Sequence, residues 1–279
     1  MSAGRKLRQR RFFTRGRSVI ITMDHPQVWG PLSGIEDAVA LARLIAESDA
    51  DGIMVSTYLI ENVADVVGAK PLVARLDGSA TDRGDITRTD MVTTPEYALA
   101  CGAAMGVVNA YVGADNESDL LNKVGMTAVE CREVGLPLMA EMLPASALGF
   151  HFLGESVQAM KDKVNTRKTL DLDGIRHAAR VGAELGADLI KTHFPGTVDG
   201  MKSIAESAVV PVLIAGGPKT QGYAEFFSMI SKALDGGAAG VTMGRSVWQD
   251  PSPRGVIAGL CHLAHEGGSV DEAVRLVQA

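Results

Sequence analysis

Eight parallel strands, each followed by a helix and closed into one (β/α)8 TIM barrel, form the α/β architecture this chain predicts, and three observations point to it. Short, β-branched apolar runs alternate with longer amphipathic stretches, which implies parallel strands joined by crossover helices. Eight such units fit 279 residues, close to the ~250 typical of a barrel of this kind. No proline- or serine-rich linker divides the chain, so one domain is expected over 1–279. A doubly wound open sheet is the competing architecture, but the first run lacks the glycine-rich fingerprint of a dinucleotide fold.

The first seventeen residues form a basic extension with seven arginines or lysines, at 5, 6, 8, 10, 11, 15 and 17. Because the formal charge of the whole is −6, this reads as a solvated helix or one at a subunit contact, in preference to a nucleic-acid arm. The first strand is "SVIITMD" (18–24), an apolar run stopped by Asp24, with His25 and Pro26 suited to a turn. "IEDAVALARLIAES" (35–48) has helical apolar spacing and leads into "DGIMVS" (51–56). "PLVARLDG" (71–78) sets Arg75 and Asp77 on one face by strand alternation. The helix "TPEYALACGAA" (94–104) precedes "GVVNAYVG" (106–113), and "PLMAEML" (137–143) is the fifth strand. A long connection, 144–171, then leads to the helix "LDGIRHAARVGAELG" (172–186), which ends on a glycine stop. "DLIKTHF" (188–194), "VPVLIAGG" (210–217), the helix "YAEFFSMISKALDGG" (223–237) and "AAGVTMG" (238–244) complete the set.

Composition narrows the function classes. The chain is 46% hydrophobic and 22% charged, an ordinary globular balance. No apolar run approaches the roughly 20 residues that span a bilayer, and the basic N-terminus has no apolar stretch behind it, so a cytoplasmic protein is expected. Cys101, Cys131 and Cys261 are few and far apart, as reduced core residues would be. The histidines at 25, 151, 177, 193, 262 and 265 show no zinc-ligand spacing with cysteines or carboxylates, so no metal is expected.

Reactive groups of a barrel belong at the C-terminal ends of its strands. Lys191 stands there on the sixth run. Burying an ammonium is costly, and desolvation favours the neutral amine, which can attack a carbonyl and form a Schiff base. The alternatives are a lysine that reaches solvent or pairs with Asp24. Asp24 itself can take part in proton transfer or bind a substrate hydroxyl, or it can cap a turn. Arg75, Asp77 and Ser79, with His25, are further candidates to bind polar parts of a substrate, although Arg75 and Asp77 can equally form a salt-bridged layer. The 144–171 connection would cover the mouth, with His151 and its lysines near a ligand.

The last two strands run into turns that suit an anion. "IAGGPKT" (214–220) offers Gly216, Gly217 and Lys219, and "TMGRSVWQ" (242–249) offers Gly244, Arg245 and the start of a helix. Exposed N–H groups after strands seven and eight are the recurrent phosphate site of this fold.

"MDHP", "KTHFPG", "PVLIAGGPKT" and "GAAGVTMGRSVWQ" resemble the DhnA-type class I aldolases, in the same order and from about Arg5 to the C-terminus. That group includes archaeal-type fructose-bisphosphate aldolase, aminodideoxyheptulosonate synthase and the LsrF thiolase. The resemblance is densest over 177–265, where "AARVGAELGADLIKT" is also similar. It implies a Schiff base on Lys191 with no other cofactor, Asp24 as the strand-one acid, and a substrate phosphate held by Gly216, Gly217, Gly244 and Arg245. It also implies a homo-oligomer, decamers occurring in the group.

The chain departs from the pattern in one place. The archaeal-type aldolases end strand five with an aromatic pair whose tyrosine is the general acid/base, whereas "AEMLPAS" (140–146) puts Glu141 and Leu143 there. Leucine transfers no proton. Glu141, Tyr111 and His193 are the candidates to replace it, and strand alternation puts His193 on the face of Lys191. The expected activity is thus a metal-independent, Schiff-base aldolase that cleaves or forms a C–C bond in a phosphorylated ketose. The alternatives are an LsrF-like thiolase acting on a phosphorylated diketone and a non-catalytic sugar-phosphate binding barrel.

Overall fold

The computed structural model describes residues 2–147, 171–216 and 222–278. Eight strands follow the apolar runs: β1 (Ser18–Thr22), β2 (Gly52–Ser56), β3 (Leu72–Arg75), β4 (Met105–Val112), β5 (Leu138–Pro144), β6 (Leu189–Thr192), β7 (Val212–Ala215) and β8 (Gly240–Met243). Each pairs in parallel with the next, and β1 closes on β8. The chain folds as the TIM barrel its sequence predicts, with most strands a few residues shorter than the apolar runs. Closure depends on one glycine. At Gly240, φ is +151° and a Cβ would lie 2.0 Å from the Ser18 carbonyl oxygen, so no larger residue fits the β1–β8 seam.

Around the barrel, in chain order, lie α1 (Ala3–Arg10), the short α2 (Pro26–Trp29), α3 (Ala38–Ala46), α4 (Ile60–Val67), α5 (Pro95–Ala100) and α6 (Glu117–Val134). They are followed by α7 (Leu172–Glu184), α8 (Val198–Ala208), α9 (Tyr223–Asp235), the short α10 (Arg245–Trp248), α11 (Pro253–Glu266) and α12 (Val270–Gln278). Side chains of Thr94, Asp171 and Thr197 accept from backbone N–H groups in the first turns of α5, α7 and α8, as N-caps do.

The lumen is layered by the two-residue period of the strands. Ile20, Met54, Val73, Val107, Met139, Leu189 and Leu213 form an apolar layer with Phe12, which is fully buried. Two residues further along the same faces stand Thr22, Arg75, Asn109, Glu141, Lys191 and Ala215. The interior therefore turns polar at one level, toward the C-terminal ends of the strands.

The basic extension forms α1, which is exposed along most of its length, as a solvated helix is, apart from Arg5. Arg5 of α1 is buried and ion-paired with Asp188 at the start of β6, while Asp188 also accepts from the Leu138 N–H at 2.9 Å. The Arg8, Arg11 and Arg15 side chains donate to the carbonyls of Gly135, Ala69 and His265, and Arg17 donates to those of Leu234 and Ala238. These carbonyls lie at or just past the ends of α6, α4, α11 and α9, where the helix dipole is negative. Helices return antiparallel to the strands, so their C-termini gather at the floor and a cationic segment is the one that seals it.

All three cysteines are free, and burial pushes the Cys131 and Cys261 thiols up to about 12. Among the described residues no helix is long and apolar enough to cross a membrane. His151 and the lysines of the 144–171 connection lie outside the described residues, as do Gly217 and Lys219.

Candidate active site

Lys191 comes from the penultimate position of β6, with 6% of its surface exposed. Its Nζ lies 2.8 Å from Glu141 Oε1, so its partner is Glu141 on the neighbouring strand and not Asp24. The register explains the pairing: Glu141 and Lys191 are direct partners across β5 and β6. In a parallel sheet such partners point the same way.

Glu141 is shared. Its Oε2 accepts from Arg75 Nη2 at 2.7 Å, while Arg75 Nε donates to Asp24 Oδ2 at 2.8 Å and Nη1 faces Asp77 Oδ1 at 3.4 Å. One guanidinium thus joins three carboxylates, each nine-tenths or more buried. Arginine suits this position because its planar fork carries five donors and keeps its charge when desolvated. Arg75 and Asp77 do share a face, and here that face is a salt-bridged layer that also lines a cavity.

Burial opposes ionisation of Asp24, but Arg75 and then Lys191 outweigh it and hold the carboxyl below its usual range. Tyr111 is pushed upward by burial, then by the charges of Glu141 and Asp77, so it stays a protonated phenol. Its Oη accepts from Asn109 Nδ2 at 3.1 Å, and it stands in register with Leu143. His25 is held at about 4, chiefly by burial and partly countered by Asp24. His193, 3% exposed, is also at about 4 for the same first reason. Both imidazoles are neutral at pH 7.

Two cavities, of about 60 and 40 Å³, are both lined by Lys191 and His25. The smaller adds Thr22, Ala215, Gly216, Thr242, Gly244, Arg245 and Ser246. The described members of the expected phosphate set, Gly216, Gly244 and Arg245, therefore come together beside Lys191. Gly244 is required there because a Cβ would lie 2.3 Å from the His25 ring. The larger cavity is lined by Asp24, Arg75, Asp77, Tyr111 and Glu141, together with residues of the β3–α5 loop.

Two candidates stand apart. His193 follows the end of β6 and lines neither cavity, although it lies within electrostatic reach of Glu141 and Lys191. Ser79 is exposed; its Oγ donates to the Arg88 carbonyl at 3.1 Å and accepts from the Asp90 N–H at 2.7 Å, so it shapes the loop and does not line the cavities. Alternation does not reach either position, because β6 ends at Thr192 and β3 at Arg75.

Other residues of the site escaped the sequence reading. Trp29 stacks on His25, ring centroids 5.5 Å apart, and the Arg245 guanidinium lies 5.3 Å from the Trp29 ring. Lys123 of α6 is buried and donates to Asp77 Oδ2 at 2.6 Å and to the Thr89 carbonyl and hydroxyl, tying the β3–α5 loop to the barrel rim. A signal existed. Lys123 sits among Leu120, Val124, Thr127 and Cys131 on the buried face of α6, where an unpaired lysine is costly. Among the described residues no group of three or more His, Cys, Asp or Glu is arranged to hold a metal ion.

The chain is similar in sequence and fold to known aldolases. The chain is 28% identical over 286 residues to an uncharacterised aldolase of Saccharolobus solfataricus, covering 99% of each chain. It is 28% identical over 272 residues to 2-amino-3,7-dideoxy-D-threo-hept-6-ulosonate synthase of Halobacterium salinarum, covering 98% of this chain and 96% of that one. It superposes on a Schiff-base-forming fructose-1,6-bisphosphate aldolase with a TM-score of 0.79 and 25% identity, over 93% of this chain and 99% of that one. A model of the DeoC/LacD family aldolases matches residues 18–250, from the first residue of β1 to beyond α10. The chain belongs to the DeoC/LacD family of aldolases.

Proposed function

We propose that the protein is a metal-independent, class I aldolase that cleaves or forms a C–C bond in a phosphorylated ketose through a Schiff base on Lys191. The observation that carries this reading is a buried lysine, 2.8 Å from a carboxylate, that lines two cavities. One cavity brings together parts suited to an anion: the turn at Gly244, the Arg245 guanidinium, and the start of α10.

In the cleavage direction the Lys191 amine adds to the substrate ketone, giving a carbinolamine that loses water to an iminium. Glu141, in contact with the amine, takes the proton lost from nitrogen and returns one to the departing hydroxyl. An ionised carboxylate, Asp24, then accepts the proton of the hydroxyl on the β-carbon as the C–C bond breaks. The electron pair of that bond moves into the iminium, leaving an enamine, and the aldehyde departs. Protonation of the enamine carbon and hydrolysis release the second product and the free lysine. Tyr111, a protonated phenol beside Leu143, supports this as a donor in the stead of the family's tyrosine.

The test is borohydride trapping across a panel of ketose phosphates, read by intact mass and peptide mapping. One reduced adduct on the peptide containing Lys191 is expected, lost in Lys191→Met while the far-ultraviolet circular dichroism is kept. An adduct on another lysine, or activity lost to EDTA and restored by a divalent ion, would overturn the reading.

A further inference from the structure

The two cavities beside Lys191 differ in charge, and that difference bears on what each end of a substrate can be. The smaller has Arg245 over the Trp29 ring and the Gly244 turn. The larger has three carboxylates in its wall, Asp24, Asp77 and Glu141, against the cations Arg75 and Lys191. Those cations are already matched. Arg75 faces all three carboxylates and Lys191 faces Glu141. Lys123, behind Asp77, is ion-paired with it and hydrogen-bonded to Thr89. The rest of the described wall is neutral, with Asn109, Thr89, Ile86 and Ala80 among it.

A phosphate dianion on this side would face buried carboxylates of its own sign where little water screens them. Hydroxyl groups meet the opposite situation. Asp24 Oδ2 is taken by Arg75, but among the described residues Oδ1 has only the His25 ring at 3.6 Å, which leaves it able to accept. The Tyr111 oxygen accepts from Asn109, which leaves its proton to donate. Acceptor and donor line the larger cavity with Lys191, whereas Arg245 lines the smaller.

We infer that the site takes a ketose carrying one phosphate, and that the fragment beyond the scissile bond, the aldehyde partner, is uncharged and hydroxylated, read by Asp24 and Tyr111. This rests on Schiff-base chemistry at Lys191 and adds the chemical class of both halves of the substrate. The larger cavity is a hydroxyl-reading subsite that rejects a second phosphate.

D-fructose 1-phosphate and D-fructose 1,6-bisphosphate are suitable probes, because they share a carbon chain and differ in the phosphate at the far end. Calorimetric titration of the whole protein should give the monophosphate at least a tenfold lower Kd. Equal or tighter binding of the bisphosphate overturns the inference. Borohydride trapping with the same pair separates the two readings. If the bisphosphate binds better and is trapped on Lys191, the Schiff base stands and the hydroxyl-reading subsite falls. If neither probe is trapped on Lys191, both fall. Ala80→Lys, at a half-buried position of the same wall, adds a cation beyond the matched ones of the described residues and should narrow the ratio at least fivefold. An unchanged ratio shows that the far end of the substrate lies elsewhere, and overturns the inference.

Discussion

The floor and the mouth of this barrel both bury charge, and they use it oppositely. At the floor, Arg5 and Asp188 form a closed pair and four more arginines end on helix carbonyls, below an apolar layer plugged by Phe12. At the mouth, two residues further along the strands, Glu141 divides its oxygens between Lys191 and Arg75, and the network borders cavities. The floor's charges end in the structure itself. Those of the mouth leave Lys191 and Asp24 facing space a substrate can enter. Buried charge contributes little net stability, so its value at the mouth lies in chemistry.

Substitutions at each end should therefore differ in their effect on activity. Glu141→Gln keeps the volume and one acceptor but removes the proton carrier, so kcat should fall by about 10²- to 10⁴-fold, and the uncompensated charge left on Lys191 and Arg75 should lower the melting temperature as well. Steady-state kinetics that show less than a tenfold fall would move the proton transfer to another group. Phe12→Ala is the contrasting case. Emptying a fully buried aromatic site costs about 3–5 kcal/mol, which for a chain of this size lowers Tm by ~10 °C, yet kcat at moderate temperature should stay within a factor of two. A kcat loss matching that of Glu141→Gln would show that the two ends are not separable.

Acid should act through the mouth. His25 and His193 are held at about 4, below the ordinary histidine value. The unfolded chain takes up these protons near pH 6.5 and the folded chain only near 4. The stabilising contribution is therefore complete above pH 6.5 and is lost as pH falls from 6.5 to 4. It amounts to roughly 3 kcal/mol for each ring at about 1.4 kcal/mol per pH unit. Thermal melts between pH 7 and 4 should show the loss, reduced in His25→Gln and in His193→Gln; a variant with an unchanged slope would exclude that ring. The smallest effect is expected at Arg245. Arg245→Ala should weaken phosphorylated substrate roughly 10- to 150-fold, the range of one or two charged hydrogen bonds, and a dephosphorylated analogue far less. An equal loss for both would make the arginine structural.

The alternation of strand and helix was legible because parallel strands buried on both faces must be apolar throughout and their crossovers must be amphipathic. Lys191 stood out as a charge within such a run, and Gly216, Gly244 and Arg245 stood out at strand ends. The helix α6 was harder to see, because Lys123 and Thr127 interrupt its buried face and blur the pattern. The contacts of the basic extension were hidden for a related reason: apart from Asp188, its partners are backbone carbonyls, which every residue carries and no pattern marks.

Which residue type lies at which strand position follows from the chain alone, since side-chain period and strand ends are local properties. Which charge meets which does not. Glu141 pairs with Lys191, while Asp24 goes to Arg75, because the register of β5 on β6 and that of β1, β2 and β3 bring together residues 50 and 51 positions apart in sequence. Only the closed barrel sets those distances. At a few ångströms in a dry interior, distance decides which carboxylate holds the lysine and which remains able to meet a substrate.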